Sequence, residues 1–536
     1  MPADLIFTGG PIHTVDHTNR IVEAVSIAGG RIFATGAAAD ILKDAGPQTE
    51  VVDLAGRALV PGMIDSHGHF AGVGNAADLI TCKPPHCGSV KDIVAAVKAS
   101  AQQTPKGQWI RGGGYDQFWL AEKRHPNRAD LDEAAPDHPV IVTRTCGHII
   151  TFNSKAMETV GLTEDVADPE GGRYARTPDG RLAGIAFERA GGPFRSNVPK
   201  PGYEDLLRHI RTANESFLSN GLTGVHDVGG VWGPHLQAAQ DLAESGELKV
   251  RIYAGVHVNT MDHPFISILD SGVRSGLGNE RIRVGVFKVM TDGATSGPSS
   301  ATREPYAIDP NDSGIAYWKQ EDLDDLIGRA HRAGWQCTVH ATGDAAIEQT
   351  LDAMARAQAE YPRQNLRHRI EHCAMLPPDL LERVVEQGII PSMQPVFFWE
   401  FGDGYIQNYG RQRADYMFRS GTLTKRGVIV AGGSDTPVTD HNPLLAISEA
   451  MTRETMNGDV CGPDEKVDLD TALRFHTING AYASFEDHIK GSIEPGKLAD
   501  VVVLSRDLRD YSPHDVRDVK VEATYVDGKV AYKRTS

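Results

Sequence analysis

Short apolar runs broken by glycine pairs open the chain, and a different rhythm takes over near residue 60. Residues 4–8, 24–27 and 31–35 are apolar-rich and lie beside Gly9-Gly10 and Gly29-Gly30, which predicts strands joined by tight turns. The C-terminal stretch repeats that style. Residues 499–504 form a buried-type apolar run, and residues 521–526 turn at Asp527-Gly528 into residues 529–532, a hairpin signature. Both ends are β-rich and the middle is not. The pattern predicts one small β-sandwich domain built from residues 1–60 and 490–536.

The middle alternates apolar runs with helical periodicity. Strands are expected at the run ending in His67 and at 223–228, 249–256, 283–290, 335–340, 367–372, 388–392 and 427–431. Amphipathic helices lie between them, such as 321–333 and 378–387. Strand–helix alternation implies a parallel sheet, and eight repeats imply an α/β fold, a (β/α)₈ TIM-type barrel over residues 61–489, with its active site at the C-terminal strand ends. The first gap is far longer than the roughly 30 residues of a barrel unit. Residues 72–215 are therefore an insertion after the first strand, a candidate lid and substrate subdomain.

Composition narrows the function classes. With 54 Lys and Arg against 71 Asp and Glu, the formal net charge is −17, which argues against nucleic acid or an anionic membrane as partner. The start lacks a basic segment followed by an apolar one, and no apolar run approaches the roughly 18 residues of a membrane span. The six cysteines form no Cys-x-x-Cys pair. These features point to a reduced, cytoplasmic protein with a small-molecule substrate, and a homodimer is the assembly considered.

Candidate chemistry begins at Ile64-Asp65-Ser66-His67-Gly68-His69. Residues two apart share a face of an extended strand, so His67 and His69 offer two imidazoles to one divalent metal. The plain alternative is a pair of hydrogen-bonding histidines in a surface turn. Later strand ends add four more residues. Lys288 sits inside an apolar strand, where a buried ammonium needs a reason; a carboxylate partner such as Asp292 or Glu188 is one. His340 and His372 end their strands, and Asp435 follows the eighth. All these ends open on one face of a barrel, and coincidence does not account for the full set.

The chain resembles the amidohydrolase superfamily, and within it the amidohydrolase-3 (YtcJ-like) metal-dependent hydrolases. The residues that carry the resemblance include Val60-Pro61-Gly62-Met63-Ile64-Asp65-Ser66-His67-Gly68-His69, Gly147-His148 with Asn153-Ser154, and Lys288 with Asp292-Gly293. It continues through His340-Ala341-Thr342-Gly343-Asp344, Arg369-Ile370-Glu371-His372, Gly433-Ser434-Asp435-Thr436-Pro437 and Gly491-Ser492-Ile493-Glu494-Pro495-Gly496. The resemblance implies two divalent metals, usually Zn²⁺. His67 and His69 would hold one, with Asp435 nearby, and His340 and His372 the other, with carboxylated Lys288 bridging them. It also implies hydrolysis of a non-peptide C–N bond in an amide, N-formyl amine or cyclic amide, with Asp435 moving the proton. A one-metal heterocycle deaminase is the alternative chemistry, against which Lys288 stands; a non-catalytic assembly protein is a third reading, against which the full ligand set stands. His148 and Asn153 in the insertion, and Trp399 after the seventh strand, are candidate substrate contacts. His226 either supports the site or packs.

Overall fold

Eight parallel strands follow one another in chain order in the computed structural model, which describes residues 2–535. They are β1 (Met63–Gly68), β2 (Leu222–Asp227), β3 (Arg251–Val258), β4 (Ile282–Met290), β5 (Gln336–Ala341), β6 (Arg369–His372), β7 (Ile390–Met393) and β8 (Ala431–Gly432). Most of their residues are buried, and strands buried on both faces read as continuous apolar runs. The ring closes where β8 meets β1: the Asp435 N–H donates to the His67 carbonyl at 2.6 Å, and the His69 N–H to the Thr436 carbonyl at 2.8 Å. Gly433 is required there, because a Cβ on it would lie 2.6 Å from the His67 nitrogen. The eighth strand, expected over 427–431, shrinks to Ala431–Gly432. Residues 426–428 are spent instead on closing the preceding helix Ser420–Lys425, with Gly427 at φ 77°.

The outer helices form for the usual reason of amphipathic spacing. Helix Gln320–Arg332 buries Leu323, Leu326, Ile327 and Ala330 and turns its acidic positions outward. Helix Pro378–Gln387 buries Leu380, Leu381 and Val384, starts on a proline and stops at Gly388 in the left-handed conformation (φ 63°).

Between β1 and β2 the chain forms a separate six-stranded sheet, ordered Gly172–Arg176, Leu182–Glu188, Ile149–Phe152, Val140–Arg144, Ile110–Tyr115, Ile80–Thr81. It is fastened to the barrel mouth. Arg144 donates to the Ser296 hydroxyl (2.9 Å) and carbonyl (2.8 Å) in the loop after β4, and Thr145 and Lys83 both donate to the Val438 carbonyl after β8, at 2.8 and 2.9 Å.

The chain's two ends share one eight-stranded sheet, in which Ala58–Pro61 pairs antiparallel with Val501–Leu504. Phe7 and Tyr525 lie three strands apart in it, roughly 14 Å in a flat sheet, yet their rings are 5.0 Å apart. The sheet folds over on itself, so the sandwich is one continuous sheet. Arg251, at the start of β3, grips Asp500 with two hydrogen bonds of 2.6 and 2.9 Å, both side chains buried. The small domain thus abuts the strand ends opposite those that carry the candidate site. The six cysteines are all buried and unpaired, and no helix among the described residues is long and apolar enough to cross a membrane.

Candidate metal centre

Strand geometry and two unusual backbone turns deliver the site residues. In β6, Arg369 and Glu371 face the barrel interior, so strict alternation would turn His372 away from it. His372 (φ 67°) and Cys373 (φ 47°) adopt the left-handed conformation instead, and the chain swings the imidazole over the mouth. Asp435 does the same at φ 59° after β8. Such conformations are uncommon outside glycine and gather at functional sites.

His67, His69, Lys288, His340, His372 and Asp435 all line one cavity of about 570 Å³ at the C-terminal strand ends. Asp435 Oδ1 lies 3.2 Å from Nε2 of both His67 and His69. The His67 and His372 rings are 4.7 Å apart, and those of His372 and His340 4.5 Å. His67, His372 and Asp435 each present a ligand atom within 4.8 Å of the others.

The donor set fits a metal. His67 Nδ1 is hydrogen-bonded to Glu371, His372 Nδ1 to Gln394 Oε1 at 2.7 Å, and His340 Nε2 to the Gly293 carbonyl at 3.1 Å. Each histidine therefore has one nitrogen fixed by the protein and one left for a metal, the usual arrangement of a ligating histidine. Burial, and then the charge of His67, push His372 down to about 3, and burial and His372 hold His340 well below the ordinary range. Both are thus neutral, as ligation requires. Burial and Lys288 oppose the charge on His67, but Glu371 and Asp435 outweigh them and raise its pKa.

Lys288 is 3% exposed and makes no hydrogen bond or ion pair among the described residues. Neither carboxylate that could have explained it is engaged with it. Glu188 bonds His148, Ser299 and Tyr317, and Asp292 takes the Thr342, Gly343 and Ala301 N–H groups. Burial lowers the Lys288 ammonium to about 8 against the pull of Glu371 and Asp435.

A sequence model of the amidohydrolase family matches residues 50–532. The chain belongs to the amidohydrolase family. It is 29% identical to YtcJ of Bacillus subtilis over 99% of both chains, and 29% identical to the N-substituted formamide deformylase of Arthrobacter pascens over the same shares. The crystal structure of an uncharacterized metal-dependent hydrolase from Pyrococcus horikoshii superposes with a TM-score of 0.74 at 26% identity, covering 96% of this chain and 99% of that one. This amidohydrolase is a metal-dependent hydrolase of non-peptide C–N bonds.

Beneath its candidate metal ligands the amidohydrolase has a polar layer where barrels of this type are usually filled by branched apolar side chains. Glu371 accepts from Arg369 Nε (2.7 Å) and Nη2 (2.9 Å), from the Thr338 hydroxyl of β5 and from His67 of β1. Arg369 also donates to the Ser66 carbonyl of β1 (2.5 Å), His226 Nδ1 of β2 (2.8 Å) and the Ser392 hydroxyl of β7 (3.2 Å). His226 is therefore a neutral acceptor supporting the site from β2. Glu371 and Gln394 are functional neighbours that motif reading passed over. The signal for Glu371 was present: Arg369 and Glu371 stand two apart in a buried strand, a charged pair on one interior face. Gln394 had no such signal.

The softer candidates separate. His148 lines the cavity, with its ring 5.5 Å from His340 and Nδ1 2.6 Å from Glu188 Oε2. Burial opposes its charge, but Glu188 raises it to about 9. Asn153 does not reach the cavity. It is fully buried and spent on backbone: its oxygen accepts the N–H groups of Val140 and Ala156, capping helix Ser154–Thr159, and its nitrogen donates to the Ala135 and His138 carbonyls. Trp399 does not reach it either. It lies on helix Val396–Tyr409 under the Arg517 guanidinium, 4.6 Å from the ring centre. From that aromatic run, Phe397 is the residue that meets a metal candidate, stacking on His372 at 5.9 Å.

Proposed function

We propose that this amidohydrolase cleaves an amide, N-formyl amine or cyclic amide, using two zinc ions held by six side chains. His67 and His69 would hold one with Asp435 beside it, and His340 and His372 would hold the other. Lys288 would join this ligand set as a carbamate, its Nζ adding to the carbon of CO₂ and releasing a proton. The observation that carries the reading is Lys288: a buried amine without a hydrogen-bond or ion-pair partner among the described residues, lining one cavity with four histidines and an aspartate. Carbamate formation turns a costly cation into an anionic oxygen ligand. Bound divalent metal supplies Lewis acidity, which lowers the pKa of a water and polarises a carbonyl. Asp435 takes the water's proton and returns it to the departing amine nitrogen. His148, fixed through Nδ1 by Glu188, keeps Nε2 for the substrate.

The test is a turnover screen of N-formyl and N-acyl amines, cyclic amides and lactones on metal-loaded protein, with metal counted per chain. Two metals and amide turnover are expected, with both lost in Lys288→Ala. One tightly held metal per chain, with activity retained in Lys288→Ala, would sink the proposal.

A further inference from the structure

Three arginines line the cavity, and among the described residues one of them has an ion-pair partner. Arg144 is ion-paired with Asp116 at 2.5 Å. Arg189 and Arg195 have no carboxylate within ion-pair distance among the described residues, although acids outnumber bases in this chain. Both are nevertheless held in place, by neutral groups. Arg189 donates to the Asn259 carbonyl at 2.8 Å and lies over the rings of Tyr317 and Trp318, 5.2 and 5.8 Å from their centres. Arg195 donates to the Gly147 carbonyl at 2.6 Å and approaches the Glu188 carbonyl at 3.5 Å. Carbonyls and ring faces orient a guanidinium without cancelling its charge.

The one carboxylate on this wall is already committed. The Glu188 side chain is 1% exposed and engages His148, Ser299 and Tyr317. Its carboxylate oxygens are taken by those three groups, so it forms no ion pair with either arginine and acts on Arg195 only through space. The cationic wall also stands next to the chemistry: Gly147, which holds Arg195, precedes His148, whose ring is 5.5 Å from that of His340. Leu79, Val228 and Met290 also line the cavity, so it offers apolar surface as well as the arginines.

We infer that Arg189 and Arg195 form a carboxylate subsite, and that the substrates are N-acyl or N-formyl amines carrying a carboxylate a few bonds from the scissile C–N bond. This rests on the amide-hydrolase reading above and adds the substrate class to it. A carboxylate matches the planar guanidinium fork, and such charge-assisted contacts are stronger than neutral hydrogen bonds.

The inference is tested by binding, without turnover. N-methanesulfonyl-leucine and the neutral N-methanesulfonyl-leucinol lack a hydrolysable carbonyl–nitrogen bond and differ in one charge. Calorimetric titration of the metal-loaded protein should show the acid binding about tenfold tighter or more, with the gap narrowing as salt is raised. Arg189→Gln and Arg195→Gln keep a donor and remove the charge. Each should shrink the gap and the pair should abolish it, with metal content unchanged. Equal binding of acid and alcohol, binding of neither, or a gap that survives in the double variant overturns the subsite. Acid preference in a protein that hydrolyses no amide would leave the subsite standing and overturn the reaction instead.

Discussion

Replacing Glu371 with glutamine should weaken divalent-metal binding about 10- to 100-fold, although Glu371 is not itself a ligand. Four donors converge on this carboxylate: Arg369 Nε and Nη2, the Thr338 hydroxyl and His67 Nδ1–H. Both members of the Arg369–Glu371 pair are fully buried. Glutamine keeps the shape but offers one acceptor oxygen and turns an NH₂ group toward a donor. Two of the four hydrogen bonds are lost, at about 1.5–3 kcal/mol each for charged partners, in line with about 3–5 kcal/mol for breaking a buried ion pair. The two effects separate by assay. Urea unfolding of the metal-free forms reads the stability loss, and competition with a graded chelator series reads the metal affinity. The double variant Arg369→Met/Glu371→Leu sharpens the test. It removes the stranded guanidinium and should regain much of the stability, but His67 still lacks its acceptor, so metal affinity should stay low. Wild-type metal affinity in Glu371→Gln, or in the double variant, would refute the claim that Glu371 orients His67.

Two further outcomes follow from buried polar groups. Asn153→Ala should cost about 1–3 kcal/mol by orphaning the Val140 and Ala156 N–H groups while leaving kcat and KM for a confirmed substrate unchanged below its melting temperature; a changed KM would return Asn153 to the substrate site. Glu449 is buried with one oxygen unbonded and Arg517 at 3.5 Å, and burial raises its pKa from 4.5 to about 7. The folded state therefore binds this proton more tightly than the unfolded chain, so stability falls as pH rises through that window. Glu449→Gln should remove that part of the slope, so its melting temperature gains on wild type between pH 5 and 8; parallel profiles would contradict it.

The barrel was legible because its strands are buried on both faces and so stand out as apolar runs, each ending in a residue with chemistry. The short β8 escaped exact bounds because the turn after helix Ser420–Lys425 consumes its first expected residues. The insertion was legible as a length and not as a set of roles. His148 and Asn153 lie five residues apart in one motif, yet one faces the cavity and the other caps a helix. That difference depends on where Ala135, His138 and Val140 pass, which no local pattern encodes. Trp399 failed for a related reason: the turn of helix Val396–Tyr409 sends Phe397 to His372 and Trp399 to Arg517.

The least legible part is the coupling between the two halves of the site. His67 and Glu371 are 304 residues apart in the chain, and Arg369 reaches β1, β2 and β7 from β6. The candidate metal ligands are thus fixed by a polar layer that also ties the barrel ring together, and none of them can shift without disturbing several strands. The insertion is fixed differently, by hydrogen bonds to the loops after β4 and β8. Its anchor at Val438 lies three residues beyond Asp435, and Lys83 and Thr145 both donate to that one carbonyl. The loop that supplies Asp435 therefore also seats the insertion that carries Arg189, Arg195 and His148. Rigid chemistry on strands and adaptable recognition on loops is the division this barrel favours, and here the two meet on a single loop.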